Sequence, residues 1–160
     1  MPPPVVEQIA AEIARLISLI TTANGFNQDL TATRPKRIHL EGDLSKDKTV
    51  MIQLGEAETR DEDLSADGIY WSQMFELDVY VVDSDDSTEA LDTRINTIRA
   101  DIEKQLCQGA NFYLAGLAQG IYPTGATRFT AWGERSSWAG ATLSFKVLYT
   151  TDFADPFTQS

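Results

Sequence analysis

Trp71-Ser72-Gln73-Met74-Phe75-Glu76-Leu77-Asp78-Val79-Tyr80-Val81-Val82 is the clearest strand in this 160-residue chain. Trp71, Phe75, Leu77, Val79 and Val81 take one face, Ser72, Glu76 and Asp78 the other, and Gln73 alone breaks the alternation. Side chains alternate across a pleated strand, so a strict period of two marks one face for a core and one for water.

Downstream, Leu91, Ile95, Ile98, Ile102 and Leu106 recur at spacings of a helix, with a narrow apolar stripe that buries one side and leaves the other wet. Ala141, Leu143, Phe145, Val147 and Tyr149 then alternate with polar residues as a second strong strand. Between these lies a predicted strand over Ile121 to Thr130, in which Pro123 marks an edge or a bulge because it cannot donate to a ladder. Trp132-Gly133 breaks the pattern before the last strand.

Upstream, Pro2 to Pro4 suit a helix entrance, and Val5, Val6, Ile9, Ile13, Leu16, Ile17 and Ile20 follow at helical spacing. Asn24-Gly25 is the expected stop, since Gly reaches the left-handed conformation that helix ends favour. Thr33 to Leu40 reads as a polar-faced strand, Glu41 to Lys48 as a turn, and Val50, Ile52 and Leu54 as the next strand. Glu56 to Asp67 reads as a long acidic loop, and Thr151 to Ser160 as an extended C-terminal arm after a domain spanning 1–150. Grouped strands rather than strict alternation with helices predict a single α+β domain, a mainly antiparallel sheet packed by two helices.

Charge narrows the partners. With 24 Asp and Glu against 13 Lys and Arg the formal charge is −11, the opposite of what a protein needs to neutralise phosphates. This argues against direct DNA binding, while remaining compatible with a passage along which DNA slides without sticking. The start lacks the basic flank and apolar run of a signal peptide, and no segment approaches 18 apolar residues, so synthesis in the cytoplasm and no membrane span are expected.

Chemistry-bearing residues are scarce. There is one histidine, His39, and one cysteine, Cys107, which excludes an intrachain disulfide and a Cys/His zinc site. Cys107 continues the helical stripe and is expected to pack as a small hydrophobe. A calcium loop begun at Asp83 fails where Gly and a terminal carboxylate are required, at Thr88 and Arg94. Asp83, Asp85, Asp86 and Glu89 are better read as acidic complements to a helix start. Nothing apolar flanks Glu56, Glu58 or Asp61 to Asp63 to raise a carboxyl pKa for acid–base work. A serine triad would have to use His39 without a G-x-S-x-G elbow, and no glycine-rich phosphate loop is present. No enzyme activity, cofactor or metal is therefore expected. Arg34, Lys36 and Arg37 form the one compact basic group, a candidate contact for an acidic neighbour, with Glu58 and its loop as the surface that would face it across a subunit boundary.

The first helix ending in Ala23-Asn24-Gly25-Phe26, the strand Trp71 to Val81, the helix Leu91 to Leu106 and the closing Leu143-Ser144-Phe145-Lys146-Val147-Leu148-Tyr149-Thr150-Thr151 together resemble the tail terminator family of long-tailed bacteriophages. The resemblance spans most of the chain and lies in pattern, order and length. It implies a sheet packed by helices, six copies of which form a ring that caps the tail tube, stops its growth and offers a surface for head joining. The implied partners are the chain's own copies in a homohexamer, the tail tube protein and head-to-tail connector proteins of the neck, with DNA passing through the lumen. The implied location is the virion tail. Candidate interface residues under this resemblance are Arg34, Lys36 and Arg37, the loop residues Glu56, Glu58, Asp61, Glu62, Asp63 and Asp67, and Phe153 and Phe157 of the arm. Another connector or tail-completion protein is the neighbouring reading. A small hydrolase or ligand-binding domain, recognisable by a deep pocket holding a carboxylate of raised pKa, is the reading from a different class.

Overall fold

Pro4 starts the first helix, its carbonyl accepting from the backbone N–H groups of Glu7 (2.9 Å) and Gln8 (3.1 Å). In the computed structural model, which describes residues 1–34, 48–59, 68–82, 90–131 and 138–160 without the side chains of 128–131 and 138, helix α1 spans Val5–Ser18. Val5, Ile9, Ala10, Ile13, Leu16 and Ile17 form its buried stripe. The helix ends before the expected stop. Leu19 and Ile20 donate to the carbonyls of Leu16 and Ile17, tightening the last turn, and Ile20 is then fully buried. Gly25 does adopt the left-handed conformation, φ 82°, but it closes a separate 3-10 turn over Thr22–Asn24.

Among the described residues, five strands follow in one sheet of order β1-β2-β3-β5-β4: β1 Thr31–Thr33, β2 Thr49–Thr59, β3 Ile69–Val82, β4 Gly120–Ala131 and β5 Trp138–Thr151. Only the β1–β2 pairing is parallel; the other three are antiparallel. Helix α2, Leu91–Cys107, lies between β3 and β4 in the chain, and a kinked 3-10 segment over Gly109–Gly116 follows it. The chain is thus one mixed α+β domain with two helices and a mostly antiparallel sheet.

Phe75 and Phe145 are register partners across β3 and β5, as are Leu77 and Leu143. They join the apolar stripes of α1 and α2 in one core cluster, so both helices cover the same sheet face. Two polar side chains of α2 are built into this core. Asp101 of α2 accepts from the Asn27 backbone N–H (3.2 Å) and Nδ2 (2.8 Å), and Gln105 donates to the Leu16 carbonyl (3.0 Å). Buried polar groups of this kind cost stability unless paired, and here both tie α2 to the chain around the end of α1.

Two expectations are corrected by the structure. Glu56 and Glu58 do not open a loop: β2 runs through them to Thr59, because a register shift between Leu54 and Ala57 accommodates Gly55 and Glu56 and the ladder then resumes with Ala57 opposite Gln73 and Glu58 opposite Ser72. Of the strand expected over Thr33 to Leu40, Thr33 is the last residue of β1, Arg34 follows it, and residues 35–40 lie outside the described residues. The segment after Thr151 is not an extended arm. It folds back through an Asp152–Asp155 bridge, the Pro156 carbonyl accepts from the Val5 N–H (3.0 Å), and the Gln159 side chain reaches the Gly116 carbonyl (2.8 Å). The turn over Glu41 to Lys48, apart from Lys48 itself, lies outside the described residues, as do the acidic stretch Asp83 to Glu89 and the Trp132-Gly133 break. Pro123 meets its expectation: β4 is an edge strand, and its pairing with β5 shifts register between Pro123 and Gly125.

Candidate assembly surface

Because both helices sit on one face, the other face of the sheet is left to side chains of the β3 even-numbered set and their partners. At its centre the half-buried Asp78 accepts from Thr142 Oγ1 (2.6 Å) and Gln53 Nε2 (2.8 Å). These bonds run across β2, β3 and β5 and stitch the sheet on its outer side. Burial, with the Asp78 charge adding to it, pushes the Tyr80 phenol above its ordinary range. Met74 and Lys146 are register partners further along, and Lys146 faces Tyr122 of β4.

Aromatic side chains gather at the β4 end. Phe112 stands edge-on to both Tyr113 and Tyr122, each at 5.1 Å between ring centroids. Tyr113 and Tyr122 are exposed although large and partly apolar. Gly120 makes the cluster possible, since a Cβ there would lie 2.5 Å from Phe112 Cζ. Leu114 and Ala115 beneath it hold positive φ, 47° and 57°, with Leu114 fully buried as the anchor of that turn. Tyrosine exposed on a fixed backbone is a common contact residue at protein interfaces.

The sequence-predicted interface residues are dispersed. Arg34 follows β1 and forms an ion pair with Glu7 of α1 in the same chain. The hydrogen bond from Arg34, opposed by partial burial and helped by the guanidinium charge, holds the Glu7 carboxyl below its ordinary range. Glu56 and Glu58 are exposed at the far end of β2. Phe153 is exposed at the tip of the C-terminal turn, whereas Phe157 is half-buried. Lys36, Arg37, Asp61, Glu62, Asp63 and Asp67 lie outside the described residues, as does His39.

The remaining chemistry is modest. Cys107, half-buried at the end of α2, has its thiol raised by burial and by the Glu103 charge, which disfavours the reactive thiolate. Asp29 is held low by the Thr22 backbone N–H and hydroxyl, a turn-closing contact. Among the described residues no three His, Cys, Asp or Glu side chains group as metal ligands, and no helix is long and apolar enough to cross a membrane.

Sequence reasoning missed Tyr70, Tyr113 and Tyr122 as surface aromatics. The only available signal was Tyr122 next to Pro123, since an edge strand leaves its side chains less covered than a central one. Neither protein-family models nor curated proteins yield a match to this chain.

Proposed function

We propose that this protein is a structural subunit of a phage tail, a tail terminator whose six copies close into a ring on the end of the tail tube, stop its growth and present a surface to the neck. The observation that carries the reading is the one-sided architecture: both helices cover one face of a five-stranded sheet, and among the described residues no helix packs on the other face. A sheet packed by helices is what the family resemblance implies. A small domain whose sheet is finished on one side only is suited to being completed by neighbours.

The role is assembly rather than catalysis. Among the described carboxyls with a resolved shift, Glu7 and Asp29 are both pulled down, so neither is tuned toward a neutral-pH acid. The acidic surface keeps such a ring from gripping DNA in its lumen. Six identical contacts to a tube end also add through multivalency, so each single contact can be weak. The protein's place would be the tail of the virion, after assembly in the host cytoplasm.

The test is a tube-capping assay. Purified tail tube protein is polymerised with and without this chain, and tube length and tube ends are read by negative-stain imaging. Shorter tubes with a ring at one end support the proposal. Tubes of unchanged length with bare ends, at a tenfold or greater molar excess of the chain, refute it.

A further inference from the structure

Consecutive residues of a strand point to opposite faces, so a run exposed at every position is covered on neither side. Two such runs occur. Tyr122 to Thr127 in β4 are exposed without a break, and so are Glu56 to Thr59 in β2. β4 is the last strand of the sheet. At the opposite side β1 pairs only with Thr49, Val50 and Met51, and among the described residues no strand covers β2 from Ile52 onward. Among the described residues the sheet therefore presents two edges without a strand partner, each a row of backbone N–H and C=O groups able to template another strand.

We infer that copies of this chain join edge to edge, β4 of one copy pairing with the uncovered half of β2, Ile52 to Thr59, of the next. Polarity favours this pairing. Three successive antiparallel steps, β2 to β3, β3 to β5 and β5 to β4, leave β4 antiparallel to β2. A copy added by rotation about a ring axis keeps its strand directions, so the new β4–β2 contact continues the alternation already present. The uncovered half of β2 offers roughly 25 Å of ladder, at about 3.3 Å per residue.

The edges also differ in their protection and in their charge. Pro123 and the bulge beside it blunt only the start of β4, and Arg128 is the single charged residue in that strand. The uncovered half of β2 carries Glu56 and Glu58 and no basic residue. A β4–β2 contact joins a strand with one basic residue to a strand with two acidic ones, whereas a β4–β4 contact joins two strands of the same sign. A contact between two different surfaces of the same chain is heterologous and closes into a ring when its rotation permits. The inference rests on the ring reading for closure.

Lysine on an edge strand opposes pairing. Thr127→Lys blocks the β4 edge and Ala57→Lys the β2 edge, both at exposed positions, so each variant is expected to keep its circular dichroism spectrum and thermal midpoint. Wild type and both variants are compared by sedimentation velocity and negative-stain imaging, alone and with tail tube protein. Wild-type rings that are lost in both variants support the pairing. If either well-folded variant still forms rings, the edge contact is wrong while the ring reading stands. A wild type that stops at a dimer, abolished by Thr127→Lys but not by Ala57→Lys, replaces this contact with a two-fold one. If the wild type forms no assembly even on tube ends, ring and contact fail together.

Discussion

Gln73 points its amide into the buried side of the sheet and donates to the Gly55 carbonyl at 2.9 Å. The same nitrogen lies 2.9 Å from the Met74 carbonyl and 3.4 Å from that of Glu56. The register shift between Leu54 and Ala57 leaves these carbonyls short of ladder partners, and the one polar residue on the inner face of β3 supplies them. Gln73 thus braces the bulge beyond which β2 continues to Thr59.

Replacing Gln73 with Leu keeps the volume and removes the donor. Buried carbonyls left unpaired cost about 1–3 kcal/mol, and the far end of β2 should lose its ordering. Urea unfolding is expected to show that loss in stability, and hydrogen exchange should speed up at Ala57, Glu58 and Thr59 while β3 and β5 stay protected. Unchanged exchange in Gln73→Leu would mean the bulge holds without its amide.

Phe145 is 1% exposed and sits opposite Phe75, which is 0% exposed, on the two central strands. Phe145→Ala should cost about 3–5 kcal/mol, the range for emptying an aromatic site in a packed core. Chemical denaturation measures this directly. Phe153→Ala is the control, since Phe153 is 62% exposed and its loss should leave the monomer's stability nearly unchanged.

The Glu7–Arg34 pair joins α1 to the end of β1, with both side chains more than a third exposed. A carboxyl whose folded pKa is depressed stabilises the fold above its ordinary pKa, and that contribution disappears as pH falls through the folded value. Solvent screening limits it to about 0.5 kcal/mol or less. Thermal midpoints of wild type and Glu7→Gln should differ slightly at pH 7 and converge at pH 3.

Truncation after Thr151 removes the Pro156 acceptor of the Val5 N–H, the Ser160 carbonyl that accepts from Thr150 Oγ1, and the Gln159 contact to Gly116. The first turn of α1 should fray. The expected readout is faster exchange at Val5 and a lowered thermal midpoint with the sheet intact, since each lost bond is worth about 0.5–1.5 kcal/mol at most.

A charge of −11 per chain opposes association at low ionic strength. Raising salt from about 0.01 M to 0.15 M shortens the screening length from about 30 Å to about 8 Å, so the proposed rings should form at lower protein concentration in the saltier buffer. Light scattering over a salt series checks the direction.

The sequence by itself determined the elements whose apolar residues repeat at a clean period. β3 and β5, the stripes of α1 and α2, and the irregularity at Pro123 could all be read from residue spacing, because burial of one face imposes that spacing. The paucity of His and Cys was equally plain. Tertiary structure alone decided where periodicity is silent. Gln73 looked like a flaw in a strand until the carbonyls of Gly55 and Glu56 were seen beside it, and acidic Glu56 and Glu58 resembled a loop although paired to β3. Arg34 read as part of a basic group, and only the fold brings it to Glu7, a residue distant in sequence. The tail was read as free because its capture depends on backbone bonds to Val5, which no side-chain pattern encodes. Such pairings depend on which segments the fold brings together, and local spacing does not carry that information.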